Sequence, residues 1–190
     1  MKLKSILAVL LAGSAVTAFA APEVYTIDPN HTYPSFEADH MGISVWRGKY
    51  KKTSGTITLD RAAKSGAVDI LIDADSIDFG HDGMTAHAKK EDIFDVAKYP
   101  TVTYKSKSIT FKGDMPASIE GELTLHGVTK PVTLLINKFK CIEHPMTKRE
   151  VCGADASATF NRADFGITKG LPRFLPEVKL QIQVEAMKNA

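Results

Sequence analysis

Long apolar runs, heptad repeats and clusters of glycine or proline are absent from this chain of 190 residues. No segment reaches the roughly 20 consecutive apolar residues that a transmembrane helix needs. The 13 glycines and 9 prolines are too few and too scattered for a collagen-like or disordered chain. Cysteine occurs only twice, and a chain of this length can bury a full core without disulfides. The composition therefore predicts one ordinary globular domain.

The first twenty residues have the three parts of a secretory leader. Two lysines precede a mostly apolar stretch over residues 6–16, and Ala18-Phe19-Ala20 places small residues where a signal peptidase cleaves. We therefore expect a signal peptide over residues 1–20 and an exported, soluble domain over residues 21–190.

Positive charge is not in surplus once the leader is set aside. Of the 24 basic residues, Lys2 and Lys4 belong to the leader, so 22 basic side chains face 22 acidic ones in the mature chain. Basic and acidic residues also alternate, as in Lys89-Lys90-Glu91-Asp92. A nucleic-acid-binding domain shows an excess and a clustering of Lys and Arg, so nucleic acid is not an expected partner.

The two cysteines, Cys141 and Cys152, are eleven positions apart. This spacing suits a disulfide across a hairpin or loop in an oxidising compartment. A thioredoxin-like redox motif would need C-x-x-C, and a zinc site would need more ligands than these cysteines and His144 supply. We expect a structural disulfide and no metal site.

Alternation of apolar and polar residues dominates the mature chain. It is clearest where Val178, Leu180, Ile182 and Val184 are separated by polar side chains, which is typical of a half-buried strand. Turn residues separate many of the alternating runs. Nine such runs predict an all-β sandwich or barrel: Val24–Ile27, Ser35–Asp39, Tyr50–Leu59, Val68–Ile72, Val102–Phe111, Ile119–Leu125, Val132–Ile136, Ala156–Phe160 and Val178–Glu185.

One stretch favours helix. Residues His87–Lys98 are mainly helix formers, place Ile93, Phe94 and Ala97 on one side, and end before Tyr99-Pro100. A single short helix cannot cover a sheet face, so the apolar sides of the strands must mostly face one another. Ile70, Ile72, Leu123, Leu125, Leu180 and Ile182 are expected to share one interior.

Signals for catalysis are weak. The chain contains neither G-x-S-x-G nor H-E-x-x-H. The triplet Asp164-Phe165-Gly166 occurs in protein kinases, but the other kinase motifs are missing. The histidines do not have the spacing of a metal site: His31, His40, His81, His87, His126 and His144.

Aromatic residues are spread one or two per predicted element. An aromatic core is one interpretation, and a cavity for a slim lipophilic ligand is the other. An eight-stranded barrel is wide enough for one such ligand, and several inward positions, such as Ala38, Gly121, Ala156 and Ala158, are small.

Short motifs along nearly the whole mature chain resemble the YceI-like periplasmic proteins. The most specific is Gly121–Val132, with the sequence Gly-Glu-Leu-Thr-Leu-His-Gly-Val-Thr-Lys-Pro-Val. The others occur in the family's order: Tyr25-Thr-Ile-Asp28 with His31, Phe36 with His40-Met-Gly42, Val68–Ile72 before Ser76-Ile-Asp78, His87, Phe94-Asp95, Lys98-Tyr-Pro-Thr101 and Asp164-Phe-Gly-Ile167.

The resemblance implies an extended, lipocalin-like antiparallel β-barrel of about eight strands with one short helix. It implies a periplasmic, non-enzymatic protein that holds a long isoprenoid lipid as cargo, needs no cofactor, and allows a homodimer and transient membrane contact. Its expected ligand-binding residues are Phe36, His40, Trp46, Ile70, Ile72, Asp78, Phe79, His87, Phe94, Phe111, Leu123, Leu125, Phe160 and Phe165.

The cargo's head group is expected at the mouth of the barrel, near His40, His87 and Asp78. Because no cluster of Lys and Arg adjoins a glycine-rich turn, a neutral head of the ubiquinone type is favoured over a polyprenyl phosphate. Trp46 would contact its ring. Two other functions stay open, namely an enzyme that acts on an isoprenoid-like substrate in the same cavity and a stress-related interaction protein whose barrel is filled incidentally.

Overall fold

The computed structural model describes residues 21–190, and the predicted signal peptide lies outside this range. The described chain is mostly strand, with one α-helix and two short 3-10 helices. The strands are β1 (Glu23–Ile27), β2 (Tyr33–His40), β3 (Ser44–Tyr50), β4 (Thr53–Asp60), β5 (Ser65–Asp73), β6 (Ile77–Asp78), β7 (Thr101–Lys112), β8 (Met115–Leu125), β9 (Val128–Glu143), β10 (Glu150–Asn161) and β11 (Glu177–Lys188); the α-helix α1 is Asp82–Ala88, and the 3-10 helices are Ala74–Ser76 and Arg162–Phe165.

Eight of these strands close into an antiparallel barrel. Their order around the ring is β1, β4, β5, β7, β8, β9, β10 and β11, and the ring closes because β11 pairs with β1 as well as with β10. Alternate side chains of each strand point inward, so the nine alternating runs bury their apolar positions in one interior. The predicted all-β barrel with one short helix is confirmed.

The last strand changes partner part-way along its length. β11 pairs with β2 from Val178 to Gln183 and with β1 from Ala186 to Lys188. At the junction the buried Thr32 side chain makes the hydrogen bonds that a paired strand would otherwise make with Glu185. Its hydroxyl accepts a hydrogen bond from the Glu185 amide and donates one to the Glu185 carbonyl, both at 3.1 Å. The strands β2, β3 and β6 therefore form a three-stranded flap at one end of the barrel.

The barrel has two ends of different construction. At the first, which we call the β1 end, Tyr25, Ile27, Leu59, Cys152 and Ala186 form a separate apolar cluster. At the other, the helix end, lie the flap, α1, the loop after α1 and residues 166–176. The larger core cluster lies in the barrel's interior and extends to the helix end, where Ile77 and Ala88 belong to it.

Two strands are missed by the alternation pattern. In β3 the alternation of apolar and polar residues is interrupted at Arg47 and Gly48, and β6 has only two residues. The single run predicted over Tyr50–Leu59 is divided in the structure, because β3 ends at Tyr50 and β4 begins at Thr53.

The helix predicted over His87–Lys98 is displaced toward the N-terminus. α1 begins after His81, whose ring nitrogen Nδ1 accepts a hydrogen bond from the Met84 amide and so caps the helix. Residues 89–98 form successive turns instead, and Asp95 has a left-handed φ of 44°. The turns still bring apolar side chains of this loop, such as Ile93 and Phe94, against the core, so their burial did not require a helix.

The disulfide joins two neighbouring strands. Cys141 of β9 and Cys152 of β10 are register partners, with 4.0 Å between their Cα atoms. The bridge lies at the β1 end and confirms the expected pairing.

Candidate functional site

A cavity of about 370 Å³ lies inside the barrel. Its lining runs from Tyr25, Leu59 and Cys152 at the β1 end to Trp46 and Phe174 at the helix end. The six residues expected to share one interior all line it, because each occupies the inward phase of its strand. The wall is therefore almost entirely aliphatic and aromatic along the length of the tube.

The opening of the cavity is at the helix end. Among the described lining residues, only His87 and Lys169 have exposed side chains, and both lie at this end. At the β1 end the lining residues, including Tyr25 and Pro116, are buried or half-buried. We call the surroundings of His87 and Lys169 the mouth.

Aromatic rings surround the cavity just inside the mouth. The Phe36 ring lies 5.5 Å from Phe79, 6.1 Å from Tyr50 and 6.2 Å from Phe94, measured between ring centroids. Gly48 makes room for Phe36, because a Cβ atom there would lie 2.5 Å from the tip of that ring. The alternation pattern thus places Phe36 inward, and the glycine opposite leaves space for the tip of its ring.

A second aromatic group forms the outer part of the mouth. The rings of His40 and Trp46 are stacked 4.1 Å apart, and Phe174 lies 5.3 Å from His40 and 6.4 Å from Trp46. Trp46 and Phe174 line the cavity, whereas His40 supports Trp46 from behind. These contacts attach the flap to the segment of residues 166–176.

Few polar groups interrupt the apolar wall. The Tyr104 hydroxyl donates to the carbonyls of Ile119 at 3.0 Å and Val132 at 2.9 Å, and burial raises its pKa to about 12. Burial also raises the pKa of Tyr50. The Thr53 hydroxyl has no hydrogen-bond partner among the described residues although it is buried.

Arg162, the first residue of the 3-10 helix after β10, lines the cavity wall. One guanidinium nitrogen donates to the Ile167 carbonyl at 2.8 Å, and within residues 21–190 no carboxylate lies within ion-pair distance of the group. Partial burial lowers its pKa. The remaining N–H groups are strong donors, so this end of the cavity can bind oxygen acceptors.

An ion pair spans the mouth. Lys169 lies 2.6 Å from Asp92 and so connects residues 166–176 with the loop after α1. The hydrogen bond with Lys169 lowers the pKa of Asp92. Both side chains are about half exposed, so the pair is weak in free energy while it bridges the two segments that border the opening.

The β1 end is closed by a charged network around Tyr25. The Tyr25 hydroxyl is hydrogen-bonded to Glu23 and Glu150, and Arg61 contacts both carboxylates, at 3.3 Å and 2.8 Å. Lys188 also pairs with Glu23. Hydrogen bonds from Lys188, Tyr25 and Arg61 lower the pKa of Glu23 to about 2.

Ten of the fourteen predicted ligand-binding residues line the cavity, and four do not. His40 stacks on Trp46, and Asp78 pairs with Lys51 at 3.3 Å and accepts from the Gly80 amide. The register of β7 shifts at a bulge between Thr110 and Phe111, and this bulge ends the alternation of inward and outward side chains along β7. Phe165 is buried against Phe160 in the 3-10 helix after β10 rather than at the cavity surface.

Several lining residues have no signal in the alternation pattern. Arg162, Lys169 and Phe174 lie in a 3-10 helix and a loop, where side-chain direction has no fixed period. Thr53 is a polar residue at the first position of its strand. Tyr104 belongs to the inward phase of β7, and the space over Gly121 that admits its ring could have indicated it.

Two clusters in the described chain have the residue types of metal ligands. In the first, Cys141 and Cys152 are occupied by their disulfide. The second is on the surface, where the His31 ring lies 2.7 Å from Asp28 and 4.0 Å from Glu185. None of these three side chains lines the cavity.

The helices of residues 21–190 include none that is both long and apolar enough to cross a membrane.

Comparison with known proteins gives one family. The profile of the YceI-like domain matches residues 25–186. The chain belongs to the YceI-like family. A UPF0312 protein of Pseudomonas aeruginosa is 34% identical over 98% of this chain and 100% of its own length.

Solved structures share the fold. BcnA of Burkholderia cenocepacia aligns with a TM-score of 0.68 at 21% identity, over 81% of this chain and 96% of its own. A polyisoprenoid binding domain from Saccharophagus degradans, implicated in plant cell wall breakdown, aligns with a TM-score of 0.61 at 14% identity, over 87% and 98%.

Proposed function

We propose that this YceI-like protein binds and carries a long-chain isoprenoid lipid in the barrel interior, within the periplasm. The observation that carries the proposal is the apolar cavity that extends from the β1 end to the mouth. A tail in such a tube needs no polar anchors. The polyisoprenoid-binding domain of S. degradans has the same fold, which supports an isoprenoid as the cargo.

The free energy of tail burial is sufficient for tight binding. Each buried carbon contributes about 0.8 kcal/mol, so a tail of about twenty carbons gains on the order of 16 kcal/mol. This gain is comparable to or larger than the cost of association, roughly 4–15 kcal/mol. Lipids with longer buried tails should therefore be retained through purification.

The head group of the cargo lies at the helix end in this proposal. Arg162 offers unpaired N–H donors there, and Trp46 and Phe174 offer ring faces. A quinone has two carbonyl acceptors and a planar ring, so it satisfies both kinds of contact. A polyprenyl phosphate would instead use Arg162 and Lys169 as charge partners, a pairing that the sequence pattern did not suggest.

Competition between lipids tests the choice of head group. The protein is offered a ubiquinone, a polyprenyl phosphate and a fatty amide of similar length at two salt concentrations. A preference for the quinone that is independent of salt is expected. A preference for the phosphate that weakens as salt rises would contradict the neutral head, because salt screens a charged contact.

A catalytic role in the same cavity is the second candidate, and the buried tyrosines of the wall do not favour it. An acid or base for catalysis needs a pKa near the working pH. Burial moves the pKa of Tyr50 and Tyr104 further above neutrality. Binding therefore accounts for the cavity better than hydrolysis or isomerisation does.

A bulky side chain placed inside the cavity tests the proposed lipid binding. Ala156 is an inward residue of β10, and Ala156→Phe would place a ring inside the tube. Lipid extracted from the purified variant without detergent, and identified by mass spectrometry, should fall at least severalfold. Thr159→Phe, on the exposed side of the same strand, is the matched control. Equal isoprenoid content in both variants, or none in the wild type, would contradict the proposal.

Export is tested by the intact mass of the product from periplasmic extracts. The chain should begin at Ala21 and should lack free thiols, since Cys141 and Cys152 are bridged. A mass that includes residues 1–20, or alkylation of both cysteines without reductant, would contradict the periplasmic assignment.

A further inference from the structure

An exposed apolar patch adjoins the mouth of the cavity. The turn between β2 and β3, with the start of β3, exposes Met41 (40%), Ile43 (75%) and Val45 (47%). Leu175, from residues 166–176, is 57% exposed. We call these four side chains the rim patch. Clustered apolar side chains at a surface mark an interaction site more often than isolated ones do.

The two parts of the rim patch are held together. Asp39 accepts a hydrogen bond from the Leu175 amide at 3.2 Å and another from the Gly42 amide at 2.9 Å. The Phe174 ring, next to Leu175, lies 5.3 Å from the His40 ring, next to Met41. The turn and the loop that carry the rim patch therefore lie next to each other.

Residues of the rim patch are neighbours, along the chain, of residues in the cavity wall. Trp46 follows Val45 and lines the cavity, and Phe174 precedes Leu175 and lines it as well. Successive side chains of a strand point to opposite faces, so Val45 lies on the outer side of the flap while Trp46 faces the cavity. The patch therefore borders the mouth on its outer side. The exposed Met146 of the β1 end is not a neighbour, along the chain, of any described lining residue.

One exposed cation near the rim patch, Arg173, complements an anionic surface. Residues 41–46 contain no acidic or basic side chain, and residues 166–176 contain Lys169 and Arg173 but no acid. Arg173 is exposed and has no carboxylate at ion-pair distance within the described chain. Nearby acidic groups are engaged: Glu37 pairs with Arg47 at 2.8 Å, Asp92 pairs with Lys169, and Asp39 accepts hydrogen bonds from the Gly42 and Leu175 amides.

From these observations we infer that the rim patch docks onto an anionic lipid bilayer and aligns the mouth with the membrane surface. The inference rests on the proposed function, because a carrier of a long tail must exchange it without exposing the tail to water. Ile43 and its neighbours enter the interfacial region, and Arg173 contacts lipid phosphates. Docking of this kind is reversible, since few side chains are buried.

Vesicle sedimentation tests the docking with the mature full-length chain. The probes are vesicles of phosphatidylethanolamine with phosphatidylglycerol, and vesicles of phosphatidylcholine alone. The wild type should bind the anionic vesicles more strongly, and Ile43→Asp should weaken that binding by at least about tenfold. Met146→Asp, which alters an 85% exposed side chain at the β1 end, is the matched control and should bind as the wild type does.

Two further variants refine the test. Leu175→Asp should weaken binding in the same direction, and Arg173→Glu should remove the preference for anionic vesicles. All the altered side chains are exposed, so unfolding temperatures should be unchanged. A loss of vesicle binding that occurs equally in Met146→Asp would overturn the inference.

The outcomes separate this inference from the proposed function. A wild type that carries isoprenoid but binds neither vesicle overturns the docking and leaves the carrier function intact. A wild type that binds anionic vesicles but yields no isoprenoid on extraction contradicts the carrier function. If Ile43→Asp converts a dimer into a monomer in sedimentation equilibrium and vesicle binding does not change, the patch is an interface between copies, and the inference is wrong.

Discussion

The two ends of the barrel are held by different kinds of interaction. At the β1 end, a disulfide joins the neighbouring strands β9 and β10, and the hydrogen-bonded charges around Tyr25 join β1 to β10. At the helix end, ring contacts such as His40 with Phe174 and ion pairs of exposed groups such as Lys169–Asp92 join segments around an opening. We therefore expect the β1 end to stay closed and the helix end to open at a low cost in free energy.

The largest effect on stability is expected from a charge placed in the cavity wall, which extends to both ends of the barrel. Leu180 lines the cavity from β11, the strand that runs past both ends. Leu180→Asp should lower the free energy of unfolding by about 3–5 kcal/mol, because it buries an unpaired charge and removes apolar contacts. Urea denaturation measures this, with the exposed Lys179→Asp as control. Unchanged stability of Leu180→Asp would mean that the register described for β11 is wrong.

Removal of the disulfide weakens the β1 end selectively. Replacing both Cys141 and Cys152 with Ser should lower the free energy of unfolding by about 2–3 kcal/mol, as expected for a closed loop of this length. The rate of lipid exchange should stay the same, since the bridge is far from the mouth. Faster exchange in this variant would show that the β1 end also opens.

The charged network of the β1 end should give a distinct pH dependence. The pKa of Glu23 is about 2 in the folded chain, below its ordinary 4.5, so its contribution is present above pH 4.5 and is lost as pH falls toward 2. After allowance for its partial exposure, the contribution is on the order of 1 kcal/mol. In Glu23→Gln the fall in stability between pH 5 and pH 2 should be smaller by that amount. Glu177→Gln, at the helix end, is the control for removal of one carboxylate, and identical profiles in wild type and Glu23→Gln would contradict the role of the network.

The smallest effect on stability is expected at the mouth. Lys169→Ala removes an ion pair of half-exposed groups, so the free energy of unfolding should fall by no more than about 0.5 kcal/mol. Lipid exchange, followed with a fluorescent isoprenoid, should nevertheless become severalfold faster, because the pair bridges the opening. Lys105→Ala removes a comparable exposed pair with Asp69 on the outer wall and serves as the control. Equal exchange rates in both variants would show that the pair does not restrain the mouth.

The sequence predicts the middle of the barrel better than its ends. Period-2 alternation identifies inward residues such as Ile72 and Leu123, because strand geometry fixes the direction of each side chain. The same rule fails at Phe111, where a bulge interrupts the period. It is silent for Arg162 and Lys169, whose approach to the mouth depends on a 3-10 helix and a loop. Features that open and close the cavity therefore require the structure.

The junction at Thr32 bears on how the chain avoids aggregation. A strand that changes partner leaves backbone groups free, and such an edge can template pairing with another molecule or an exchange of strands between copies. Here the amide of Glu185 bonds to the Thr32 hydroxyl, and its carbonyl accepts from that hydroxyl and from the Asp28 amide. The Thr32 side chain thus closes the gap between β1 and β2. This junction therefore offers no free strand edge to a second molecule, even at high protein concentration.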